Sequence, residues 1–191
     1  RSEQIVGAFL APVRDEVVIS TKVYAPFGPR SADRGLSADA ARRATEISLR
    51  RLGTDRIDLL LLHRPDPDVP AEETAGAFAE LVTEGKDLQI GTSTFRNHQL
   101  DALQQAPPAV LYNQAPYRAC SNTLSNTSAA ALDRWDIGVV AWSPLAEGLL
   151  TGKYADPSPS GRLLRWSVAD EPRFRAGPVR SPTSSKLGSR S

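Results

Sequence analysis

The chain has 191 residues, 40% of them apolar and 24% charged, which is enough for one globular domain with a real core. A net charge of +1 leaves no electrostatic footprint for nucleic acid or for an anionic membrane. The longest strongly apolar run, Ile57–Leu62, is interrupted by Asp58 and is far too short to span a bilayer.

Glu16–Thr21 predicts a first β-strand, a short apolar, β-rich run that ends in Lys22. A loop with Pro26, Gly28, Pro29 and Gly35 follows. Ser37 is a good helix N-cap, with Asp39 in the first turn, where the helix dipole favours it. Ala40, Ala44 and Ile47 recur at helical spacing, and Gly53 ends that helix. Ile57–Leu62 predicts the second strand, leading into His63 and then Pro65. Ala71–Glu84 predicts a helix with Ala75, Phe78, Ala79 and Val82 on one face and Gly85 as its stop. Leu88–Ser93 is the third expected strand. Asn97 is placed to cap a short helix through Gln105. Pro107 and Pro108 then break the chain before a strand at Ala109–Gln114. Ser125–Trp135 predicts a further helix and Ile137–Trp142 a fifth strand.

Strands that are apolar on both faces and alternate with helices imply a parallel sheet covered by helices. A barrel and an open doubly wound sheet both satisfy that pattern. A complete (β/α)8 barrel needs roughly 250 residues, so about five βα units cannot close one alone. After Tyr154 the periodicity stops. Residues 155–191 hold seven Lys/Arg against three Asp/Glu, whereas the first 154 hold sixteen against nineteen. The expected division is therefore residues 1–154 as the folded part and 155–191 as a loop fading into a disordered basic tail. The absence of Met and the start at Arg1 mark the chain as a fragment or a processed product. No charged-then-apolar signal peptide opens it. A lone cysteine, Cys120, excludes an internal disulfide and fits a reducing, cytoplasmic setting. Nothing in the pattern specifies an oligomeric state.

In parallel β/α folds the active site gathers at the carboxyl ends of the strands. That rule singles out Lys22, His63, Thr92 to Thr94, Asn113, Gln114, Trp142 and Ser143. Lys22 is the most unusual, because a desolvated ammonium needs a partner; a plain surface lysine is the alternative. His63 is open to both a functional and a structural reading. Trp142 reads as core or as a stacking surface. Asp66 and Asp68 lie near His63, but Pro65 and Pro67 interleave them and no ligand spacing completes a set, so no metal site is expected. No nucleophile-elbow pattern supports a serine triad.

Several segments together resemble the aldo-keto reductase family. VVISTKV (Val17–Val23) is similar to its strand ending in the active-site lysine. SLRRLGTDRIDLLLLHRPD (Ser48–Asp66) is similar to the helix, glycine stop and strand leading to the active-site histidine. IGTSTF (Ile90–Phe95), YNQAPY (Tyr112–Tyr117) and GVVAWSPLAEGLLTGKY (Gly138–Tyr154) follow in family order, the last resembling larger-loop members akin to potassium-channel beta subunits. The resemblance implies an incomplete (β/α)8 TIM barrel of the α/β class. It implies NADPH-dependent, reversible reduction of an aldehyde or ketone, a small-molecule carbonyl substrate and NADP(H) as cofactor. Lys22 and His63 take two positions of the catalytic tetrad. Ser93, Thr94 and Gln114 take the nicotinamide contacts, with Thr94 where many members have Asn. Trp142 stacks on the ring, and Ser143, Pro144, Leu145, Gly148 and Lys153 line the pyrophosphate. The family's Asp and Tyr belong just before a segment like RSEQIVGAFL, so the 191 residues contain no counterpart of either. A non-catalytic cofactor-binding or regulatory subunit, or a truncated inactive product, is the alternative that the same resemblance leaves open.

Overall fold

A computed structural model describes residues 1–107, 109–117 and 127–151. Five strands form one parallel sheet in the order of the chain: β1 (Ser20–Val23), β2 (Ile57–Leu62), β3 (Asp87–Ser93), β4 (Val110–Pro116) and β5 (Gly138–Trp142). Helices α1 (Ser2–Leu10), α2 (Ala38–Leu52), α3 (Ala71–Thr83), α4 (Asn97–Gln104) and α5 (Ala129–Arg134) accompany it. A doubly wound sheet reverses its strand order at a switch point. This one never does, so the open alternative falls and a section of a (β/α)8 barrel stands.

The helices form where the sequence caps them. Ser37 Oγ accepts from the Ala40 amide at 3.4 Å and opens α2. Gly53 closes it with φ of 67°, a conformation that costs other residues strain, and its amide donates to the Leu49 carbonyl at 2.9 Å. The core lies between the helices and one face of the sheet. Leu60, Leu62, Ile90 and Val110 of the strands meet Phe78, Leu81, Leu100 and Leu103 of the helices, all buried. Each such large apolar side chain contributes about 1.5–3 kcal/mol through burial.

The first strand departs from expectation. Residues Ala11–Glu16 wind as 3-10 turns, and β1 begins only at Ser20, so Lys22 lies inside the strand rather than beyond its end. The cause is Asp58. Its carboxylate accepts the Ile19 amide at 2.7 Å and pairs with Arg14 at 2.8 Å. A side chain thus takes the place of a strand partner. The periodicity also gave no warning of α1, whose Gly7 lies against the backbone of Leu52 where a Cβ would approach the carbonyl oxygen to 1.9 Å.

Asn97 does not cap α4. The Arg96 amide donates to Gln99 Oε1 at 2.9 Å, and Asn97 Oδ1 accepts from the Ala131 amide at 3.0 Å, which ties α4 to α5. The helix expected from Ser125 is seen from Ala129 to Arg134; Ser125 itself, Cys120, Lys153 and the tail at 155–191 lie outside the described residues. Arg1–Pro144 form one compact unit. A second begins at Leu145 and contains a 3-10 turn at Ala146–Thr151. Among the described residues no helix is long and apolar enough to cross a membrane.

Candidate functional site

Side chains alternate between sheet faces along each strand. On β3 and β4 this puts Thr92 and Asn113 on one face and Ser93 and Gln114 on the other, with Thr92 opposite Asn113 and Ser93 opposite Gln114. Thr92 Oγ1 donates to Asn113 Oδ1 at 2.9 Å, and Asn113 Nδ2 donates to the Phe95 carbonyl at 3.3 Å. Both side chains are fully buried. This satisfied polar pair fixes the two strands beneath Ser93 and Gln114.

The opposite face carries a cavity of about 540 Å³. Lys22, His63, Ser93, Thr94, Gln114 and Trp142 line it, together with Tyr24, Arg64 and two small loop residues. The structure thus brings six of the sequence-predicted positions to one space, at neighbouring strand ends. Lys22 pairs with Leu61 in the β1–β2 ladder, and the His63 amide donates to the Val23 carbonyl at 3.0 Å, which sets the two residues side by side. Ser143 follows Trp142 directly with φ of 50°, and Pro144 closes the first unit. Leu145 and Gly148 belong to the second unit, where the Gly148 amide donates to the Leu145 carbonyl at 3.0 Å.

Lys22 Nζ donates to Gln114 Oε1, although β1 and β4 are separated by two strands. In a flat sheet, strands three places apart lie roughly 14 Å from each other. The contact therefore requires the sheet to curl toward the cavity, as a barrel wall does. Gly91 on β3 permits part of the packing on this face: a Cβ there would come within 2.5 Å of Leu61 Cδ2 and 3.0 Å of the Tyr112 carbonyl oxygen.

Electrostatics follow from this crowding. Burial pushes the Lys22 ammonium below its usual range. His63 is also pushed down, first by burial and then by the positive charges of Lys22 and Arg64, which favours the neutral imidazole. Lys22 has no carboxylate partner among the described residues; the Gln114 carbonyl is what it meets. The Gln114 amide NH₂ makes no hydrogen bond among the described residues and remains able to donate.

Three features around the cavity escaped the sequence reading. Arg64 places its guanidinium carbon 4.3 Å from the centre of the Tyr24 ring. Tyr24 itself has φ of 126°, and its carbonyl accepts from the Gly35 amide at 2.9 Å. Asp66, considered above only for metal binding, instead joins two loops: its carboxylate accepts the Leu36 amide at 2.9 Å and the Asp68 amide at 3.2 Å. The Asp-Pro-Asp spelling was the available signal, since Asp commonly bonds the backbone two residues on. Tyr24 and Arg64 gave none, because their contact joins two different loops. No group of three metal-ligating side chains comes together among the described residues.

The profile of the aldo/keto reductase family matches residues 1–174. A 6-dehydroglucose reductase of Agrobacterium fabrum is 39% identical over 165 residues, covering 80% of this chain and 56% of that protein. An L-glyceraldehyde 3-phosphate reductase of Escherichia coli K12 is 32% identical over 154 residues, 78% of this chain and 44% of that protein. A protein of Arabidopsis thaliana named "Probable voltage-gated potassium channel subunit beta" is 36% identical over 165 residues, 81% of this chain and 49% of that protein. The chain thus spans about half the length of the curated relatives it matches. With strand order, strand-end chemistry and sequence likeness in agreement, the chain belongs to the aldo/keto reductase family.

Proposed function

We propose that this chain carries part of an NADPH-dependent carbonyl-reductase site, in which an aldehyde or ketone becomes an alcohol. The observation that carries the reading is the meeting of Lys22 and His63 in one cavity with Ser93, Gln114 and Trp142. The donor set suits a nicotinamide. Its carboxamide needs both a donor and an acceptor, and Gln114 NH₂ and Ser93 Oγ can supply them. The indole of Trp142 offers a flat face of the right kind. When bound, the cofactor supplies the hydride.

The protein's part is orientation and charge. His63 donates a hydrogen bond to the carbonyl oxygen and polarises it. Lys22 keeps positive charge beside the position where negative charge develops, and its bond to Gln114 ties that charge to the nicotinamide contact. Ser143, Pro144, Leu145, Gly148 and Lys153 are the residues proposed for the pyrophosphate.

NADPH titration followed by tryptophan fluorescence tests the cofactor reading. Saturable quenching that weakens in Ser93→Ala and Gln114→Ala is expected. No binding by the folded chain would overturn it. A non-catalytic subunit is the second reading, favoured by the likeness to the Arabidopsis protein. Slow but Lys22-dependent NADPH oxidation with an aldehyde panel separates the two.

A further inference from the structure

A second cavity, of about 520 Å³, lies between the loop after β2 and the loop after β3. The two share Arg64 and Thr94 as a common wall. The floor of the second is apolar: Leu62, Phe95 and Leu103 are buried in the core and present carbon to it. Its lining includes two exposed arginines, Arg64 and Arg96, one from each loop; the Arg64 guanidinium lies over the Tyr24 ring, which borders the first cavity.

Neither arginine has a carboxylate partner among the described residues. Asp66 is the one carboxylate among the described lining residues. Its two oxygens are turned onto the Leu36 and Asp68 amides, and it forms no ion pair with either arginine. Arg42, Arg43, Arg56 and Arg134 are each paired with Asp or Glu, whereas Arg1, Arg34 and Arg50, which do not line this cavity, also form no ion pair among the described residues. Two arginines without a carboxylate partner beside an apolar floor fit a ligand with an apolar body and an anionic end.

Arg64 borders both spaces, so we infer that the second cavity receives the anionic tail of the carbonyl substrate. The carbonyl lies at His63 and a carboxylate or phosphate at the far end lies between Arg64 and Arg96. This assignment of substrate class rests on the carbonyl-reductase reading above. It makes Arg64 and Arg96 specificity-determining residues rather than catalytic ones.

The test uses the 191-residue chain, 4-carboxybenzaldehyde as anionic probe and benzaldehyde as its neutral counterpart, with binding followed by amide chemical shifts. The carboxylate form is expected to bind about tenfold more tightly, in line with one or two charge-assisted hydrogen bonds. It should shift the Phe95 and Arg96 amides as well as those near His63. The advantage should vanish in R64Q/R96Q, persist in R64K/R96K and shrink at high salt. Equal affinity for the two aldehydes, or an advantage that survives R64Q/R96Q, would overturn the inference. If both probes bind equally near His63, the reductase reading survives and only the tail site fails. If neither perturbs His63 or Gln114, both fail together. The 4-formylphenyl phosphate analogue separates the two anions: tighter binding than the carboxylate marks phosphate as the preferred tail, and weaker binding marks carboxylate.

Discussion

Lys22 of β1 reaches across two intervening strands to donate its ammonium proton to Gln114 of β4. That single bond links the charge proposed to act on the substrate carbonyl to the residue proposed for nicotinamide recognition. It also leaves the charge of Lys22 acting on His63, whose pKa it lowers together with burial and Arg64. Lys22→Met removes one positive neighbour, so the His63 pKa is expected to rise. Proton NMR titration of the imidazole signals reads this directly, with His63→Gln identifying the resonance. An unchanged or lower pKa would show that Lys22 does not act on His63.

Asp87 at the start of β3 is fully buried, and neither carboxylate oxygen has a hydrogen-bond partner among the described residues. Burial raises its pKa from 3.8 to about 7, although Lys86 pulls the other way. The folded pKa lies above the unfolded one, so the folded state binds more protons between them. Stability therefore falls as pH rises from about 4 to about 7 and levels off above that range. A shift of this size corresponds to about 4 kcal/mol. Asp87→Val is expected to raise stability by several kcal/mol at pH 8 and by little at pH 4. Urea unfolding of the two chains at both pH values measures the difference. A pH-independent gain would point to packing instead of ionisation.

Thr94 adopts φ of 62°, a region that β-branched residues avoid. Strain of this type costs on the order of 1–3 kcal/mol. Thr94→Asn should relieve part of it and stabilise the fold by about 1 kcal/mol, because Asn tolerates left-handed backbone. Thermal unfolding checks the sign. The same geometry gives a backbone reason for the Asn that many family members carry here.

Asp66 holds the loop after β1 to the loop after β2 through the Leu36 amide. Gly35, with φ of 88°, makes room for it, since a Cβ there would meet Asp66 Oδ2 at 2.6 Å. Asp66→Ala is expected to speed hydrogen exchange at Leu36 by about tenfold or more, consistent with a charged hydrogen bond worth about 1.5–3 kcal/mol. Exchange at Leu60 and Ile90, in the sheet core, should change much less.

The βα alternation was legible because each strand is a short apolar run between helix stops, as with Ile57–Leu62 after Gly53. The meeting of His63, Ser93 and Gln114 at one cavity was legible because they stand at the ends of neighbouring parallel strands. The late start of β1 was hidden, since a carboxylate from β2 takes the Ile19 amide and no local pattern records that. The Arg64–Tyr24 stack was hidden for the same reason: it joins side chains forty residues apart in two loops. Asn97 was misread as a cap because the capping rule looks along one helix, whereas its oxygen serves the next helix.

The buried Thr92–Asn113 bond has a bearing on how the site is assembled. Slipping β3 or β4 by one residue would turn every side chain of that strand to the opposite face. Ser93 or Gln114 would then leave the cavity, and a buried polar group would lose its partner at a cost of about 1–3 kcal/mol. Asn113→Leu should accordingly lower the energetic gap between the correct alignment and the slipped one. The hydrogen bond on the helix side of the sheet thus acts as a lock on strand alignment, and the chemistry on the other side inherits its accuracy.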